Sequence, residues 1–85
     1  MRVERLDEPV RVRANFGGGV VTPLLFQRGT TQPLSVVRVN ARWAERRGER
    51  QLHYFACTVS SGDVYELCLH SHDLTWRLTS VMLDG

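Results

Sequence analysis

The chain has 85 residues, 42% hydrophobic and 24% charged, with a formal net charge of +2. A chain this short makes one globular domain that buries about 60–65% of its unfolded surface, with little room for a dinucleotide site. No run approaches the ~18 apolar residues of a membrane span, and MRVERLDEPV lacks the apolar block of a secretory signal.

All eleven basic residues are Arg, and both Lys and Ile are absent. Arg suits bidentate contact with phosphate or carboxylate. Loss of Lys and Ile together, whose codons are AT-rich, points more strongly to a GC-rich genome. Two cysteines, Cys57 and Cys68, are fewer than a small extracellular scaffold usually carries. Reduced thiols in the cytoplasm are the expectation.

Period-2 alternation runs through the chain and predicts strands. Val10, Val12, Ala14 and Phe16 alternate with Arg11, Arg13 and Asn15 until Gly17-Gly18-Gly19 breaks the pattern. Val20–Gln27 is a second apolar run, and Pro23 inside it predicts an edge, a bend or a strand start. Arg28-Gly29 with Thr30 and Thr31 reads as a turn. From Pro33 to Trp43, Val37, Val39, Ala41 and Trp43 are expected inward, with Arg38, Asn40 and Arg42 outward. Glu45–Arg50 reads as a polar hairpin tip, and a short helix over Ala41–Arg47 is the competing reading.

The next hairpin is readable by register. A two-residue turn at Ser61-Gly62 would set Glu66 opposite Cys57 among apolar neighbours. A three-residue loop with left-handed Gly62 sets Phe55 opposite Leu67 and Cys57 opposite Tyr65. One residue of slip exchanges whole faces, so the second register is preferred. It leaves Tyr54, Ala56, Thr58, Val64, Glu66, Cys68 and His70 outside. After Ser71-His72-Asp73, Leu74, Trp76 and Leu78 continue inward, and a bulge near Thr79-Ser80 brings Val81 and Leu83 back. The expected fold is all-β, an antiparallel meander of five or six strands in a small SH3-like barrel or half-barrel. Its core would be Val12, Phe16, Phe26, Val37, Val39, Trp43, Phe55, Cys57, Tyr65, Leu67, Leu69, Trp76 and Leu78.

The order Pro23, Phe26, Val36–Val39, Trp43, Tyr54–Val59, Gly62-Asp63-Val64-Tyr65-Glu66-Leu67 and Trp76-Arg77-Leu78 resembles a family of small uncharacterised bacterial all-β domains. Some members are encoded near homologues of Y-family translesion DNA polymerases. The resemblance covers roughly residues 20 to 84. Members carry an extra aromatic and a basic residue around the Arg28-Gly29 turn, where Thr30, Thr31 and Gln32 stand here. That departure tells against a phosphate role for the turn, and the resemblance brings no catalytic residues.

Candidate chemistries are weaker than the structural readings beside them. Cys68-x-His70-x-His72 places three metal-ligand types in alternation, but an extended strand separates Cys68 from His72 by about 13 Å. Cys57 inward and Cys68 outward cannot form a disulfide. Cys57, His53 and His70 lack the facing needed for nucleophile and base, and Gly17-Gly18-Gly19 lacks a phosphate-loop Lys. No catalytic residue, metal, cofactor or small-molecule substrate is expected.

Contact is the expected function. Tyr54, Ala56, Val64 and Cys68, with Leu24 and Leu25, form a semi-apolar surface suited to a protein partner or a homodimer. The alternative is a single-stranded nucleic acid, with Arg11, Arg13, Arg38, Arg42 and Arg77 as a stripe and Arg46, Arg47 and Arg50 at a basic tip. Stacking aromatics are what that alternative lacks, since Trp43 and Trp76 read as core.

Overall fold

A computed structural model describes residues 2–84. Six strands follow in order: β1 (Arg2–Gly17), β2 (Val20–Arg28), β3 (Leu34–Arg47), β4 (Arg50–Val59), β5 (Val64–His70) and β6 (Thr75–Leu83). Each pairs antiparallel with the next, and β1 also pairs with β6, so the meander closes into a barrel. The all-β meander read from alternation is the fold observed, in its closed form. Ala41–Arg47 continues β3 and is not a helix. Among the described residues no helix is long and apolar enough to cross a membrane.

Turn chemistry sets the register of β4 against β5. The Gly62 amide donates to the Val59 carbonyl at 2.9 Å, and the Val59 amide donates to the Asp63 carbonyl at 3.0 Å. Gly62 has φ 94°, a conformation that a side chain would strain. This is the three-residue loop with a glycine bulge. Phe55 therefore faces Leu67 and Cys57 faces Tyr65, as the alternation requires, and all four are buried. The expected β6 bulge is also present: Glu66 pairs with Ser80 and Leu67 with Leu78, leaving Thr79 extra. The Thr79 hydroxyl donates to the Glu66 carboxylate at 2.6 Å, and Val81 returns to the core.

Closure of the ring falls to β1. Its 16 residues would run about 50 Å if straight, whereas the molecule's longest dimension is 38 Å. The strand bends at two irregularities, between Arg5 and Glu8 against β6 and between Arg13 and Ala14 against β2. Its first half pairs with β6 and its second half with β2; only Val10 has a partner on both sides. The Arg28 guanidinium donates to the Glu8 carboxylate at 2.7 Å, tying β2 to the first half of β1. The ladder between β2 and β3 is the thinnest, with two pairs, Leu25 to Ser35 and Phe26 to Leu34. Beyond them Val20–Leu24 and Val36–Arg47 carry no ladder to each other.

Phe26, Phe55, Cys57, Tyr65, Leu67, Leu69 and Leu78 fill the core as expected, joined by Val10, Val59 and Val81. Val12, Val39 and Trp76 are half-buried against it. Phe26 meets Tyr65 edge-on, with ring centroids 5.1 Å apart. Three residues of the expected core are outside it: Phe16 is 64%, Val37 61% and Trp43 40% exposed. Phe16 has inward parity but lies at the β1–β2 hairpin tip, past the end of the core. Register shifts in β3 between Val36 and Arg38, and between Val39 and Ala41, put Val36 and Val39 inward and carry Val37, Ala41 and Trp43 outward. Leu74, also expected inward, is 73% exposed at a loop corner, with φ 59°.

Two substitutions separate these environments in urea unfolding. Leu78→Ala should cost about 2–5 kcal/mol through its cavity. Trp43→Ala should cost only about 1–2 kcal/mol, since it removes an exposed aromatic pair. Leu74→Gly should raise stability by up to about 1 kcal/mol by relieving a left-handed Leu; a loss there would show that the side chain is needed.

Candidate functional site

The most distinctive surface is one wall of the barrel, built by the second half of β1, by β2 and by β3. From Pro9 to Ala44 the chain carries five arginines and no carboxylate. Arg28 is engaged by Glu8, which raises its pKa by hydrogen bonding to the charged form. Arg11, Arg13, Arg38 and Arg42 are exposed and make no salt bridge among the described residues. Arg11 and Arg13 leave β1 on the side away from the core residues Val10 and Val12, level with Gln27 and Leu25 of β2. Arg38 donates to the Asn40 side chain at 2.9 Å. Arg42 reaches across the thin seam, donating to the Val21 carbonyl at 3.4 Å and the Thr22 hydroxyl at 3.3 Å. Both contacts are long, and both partners are neutral.

Aromatic surface borders this wall. Trp43 stacks on Tyr54 across β3 and β4, centroids 5.3 Å apart and planes 4° from parallel. Phe16 and Val20 sit at the tip of the β1–β2 hairpin; Leu24 and Val37 flank the seam. Between that tip and the β3–β4 arm lies a cleft of about 320 Å³. Its walls are Val20, Val21, Ala44 and Phe55, with Arg42 and His53 as its hydrogen-bonding side chains.

The predicted sites divide between this wall and other surfaces. Arg77 leaves the basic stripe: it lies on β6, and its guanidinium is held by the Asp7 carboxylate and, at 3.0 Å, by the Asp7 carbonyl. Arg46, Arg47 and Arg50 are exposed at the β3–β4 tip, among Glu45 and Glu49. Within the semi-apolar surface, Cys68 is only 1% exposed and is corrected to a buried position. It lines a groove with Leu6, Leu52, Tyr54 and Arg77, because the coiled sheet folds these over its outer side. Tyr54, Ala56, Val64 and Leu25 are half-buried, and Leu24 is exposed as the extra residue of the β2 irregularity. Both cysteines are free. His70 and His72 have ring centroids 5.8 Å apart, and among the described residues no three His, Cys, Asp or Glu side chains are grouped to hold a metal ion.

Burial governs the titrating groups. It pushes the Cys57 thiol up to about 11 and raises that of Cys68. It also pushes the Tyr54 phenol to about 12, with Cys68 and Glu45 adding to the effect. The uncompensated wall was legible without coordinates, since the run from Pro9 to Ala44 lacks Asp and Glu. Exposure of Trp43 was not, because it depends on bulges that leave no mark in alternation.

No family model matches the chain, and no curated protein and no solved structure matches it.

Iodoacetamide at about pH 8 should label neither cysteine of the folded protein and both in urea, because the thiolate is the reactive form. In an absorbance titration, Tyr54 should ionise near 12, and that step should be absent in Tyr54→Phe. A step at the ordinary phenol position from Tyr54 would mean that the phenol is solvated.

Proposed function

We propose that this domain binds single-stranded nucleic acid along the β1–β2–β3 wall. The observation that carries the reading is the segregation of charge: Arg11, Arg13 and Arg38 stand exposed and without carboxylate partners on the outer side of this wall, Arg42 reaches across its seam from the other face of β3, and β3 runs on to the Trp43–Tyr54 stack. Small barrels hold single strands by pairing a basic track for phosphates with aromatic faces for bases. Arg11, Arg13, Arg38 and Arg42 would take phosphates; Trp43, backed by Tyr54, would take a base. The reading is of binding without catalysis, supported by two thiols that are buried and protonated at neutral pH. The setting we propose is the bacterial cytoplasm. A role beside a translesion polymerase is what the resemblance to polymerase-neighbouring domains adds.

A second reading, docking to a protein or to a second copy, is favoured by one feature. Phe16, Val20, Leu24 and Val37 are exposed aliphatic or aromatic surface around the thin seam, and contiguous apolar surface marks protein contacts. Sedimentation that stays monomeric at all concentrations would remove self-association.

An oligothymidylate of about 15 nucleotides should bind at about 50 mM salt and weaken steeply as salt rises, roughly 0.7 log-log units per phosphate contacted. Arg11→Gln with Arg13→Gln should flatten that slope, and Trp43→Ala should cost about 1–3 kcal/mol of binding. Absence of binding at low salt would refute the reading. So would a slope that responds to Arg46, Arg47 and Arg50 but not to Arg11 and Arg13.

A further inference from the structure

Resting on the nucleic-acid reading, we infer that the cleft between the β1–β2 tip and the β3–β4 arm is a subsite for one base turned out of the bound strand. A stacking surface alone needs no cavity. Here the ribbon that carries the stack also walls a cleft: Arg42, Ala44, His53 and Phe55 stand on the face of β3–β4 opposite the Trp43–Tyr54 rings, and that face closes against Val20 and Val21. Apolar sides from Val20, Val21, Ala44 and Phe55 suit the faces of a flat ring. Arg42 and His53 supply the hydrogen bonds that a base edge offers to meet. The floor is firm: Phe55 is buried and packs on Trp76 with centroids 5.6 Å apart.

Charge fits the occupant as well. Arg42 stands at the seam with only long bonds to neutral oxygens. A phosphate offers it a shorter, charge-assisted pair. The nucleotide would thus seat its base among the apolar side chains and its phosphate on Arg42. The mouth adjoins Gly19, which has φ 77° and open space where a Cβ would stand, so backbone borders the entrance. An acidic peptide would also match the arginines; it is the alternative occupant that the test addresses.

The test has two arms. In the first, thymidine 5′-monophosphate and deoxyribose 5-phosphate are titrated separately into the wild-type protein by NMR. The expected result is movement of the Val20, Val21 and Ala44 methyls and the His53 ring with the nucleotide only. Equal movement with the sugar phosphate would mean an anion site at Arg42 without a base pocket, and would overturn the inference. In the second, Ala44→Phe fills the cleft from an exposed position, and His53→Ala removes one hydrogen-bonding wall. Each should weaken oligothymidylate binding roughly fivefold or more, while the salt slope stays at the wild-type value. Oligothymidylate that binds both variants as it binds wild type would overturn the cleft and leave the basic wall standing. Failure of wild type to bind oligothymidylate would refute the wall, and the mononucleotide arm would still decide the cleft.

Discussion

Everything in this barrel depends on one strand being shared lengthwise. β1 is too long to run straight, so it serves β6 with its first half and β2 with its second, and only Val10 has partners on both sides. That division has an electrostatic consequence. Before the switch Glu4, Asp7 and Glu8 outnumber Arg2 and Arg5; after it stand Arg11 and Arg13 with no carboxylate beside them. The acidic half engages Arg77 and Arg28, while the basic half moves to the wall with β2 and β3, where the first carboxylate is Glu45 near the far end of β3. A net charge of +2 understates this asymmetry, because association follows the local field and not the total.

The thin β2–β3 seam completes the surface. Two ladder pairs hold it, and Pro23, which has no amide to donate, stands beside it. Bulges in β3 and an irregularity at Leu24 blunt the free edges, which limits strand pairing between molecules. The same irregularities leave Arg42 spanning the gap and turn Trp43 outward. Interruptions that a regular sheet would lack therefore create the wall, the aromatic rim and the cleft together.

Much of this was legible in the residues. The Phe55–Leu67 and Cys57–Tyr65 pairs follow from alternation plus one glycine loop, because the alternative register buries Glu66. The β6 bulge follows from the wrong parity of Val81, which must be buried. β3 was misread because apolar residues at Val37, Val39, Ala41 and Trp43 form an unbroken alternation that two bulges override. Phe16 was misread because parity tells which way a side chain points, not whether anything lies there. Cys68 points outward as expected yet is covered, since a coiled sheet can bury part of its own convex-side pattern under long neighbours such as Arg77. Assigning Trp43 to the core hides the one tryptophan that stands 40% exposed on this surface.

Backbone amide shifts recorded while oligothymidylate is added at low salt would test most directly whether the basic wall is the contact surface. Binding on the proposed wall predicts movement at Arg11, Arg13, Arg38 and Arg42 and at the Trp43 indole, with β5 and the Ser71–Leu74 loop unmoved. Movement confined to β5, β6 and the groove at Cys68, or none at all, would contradict it.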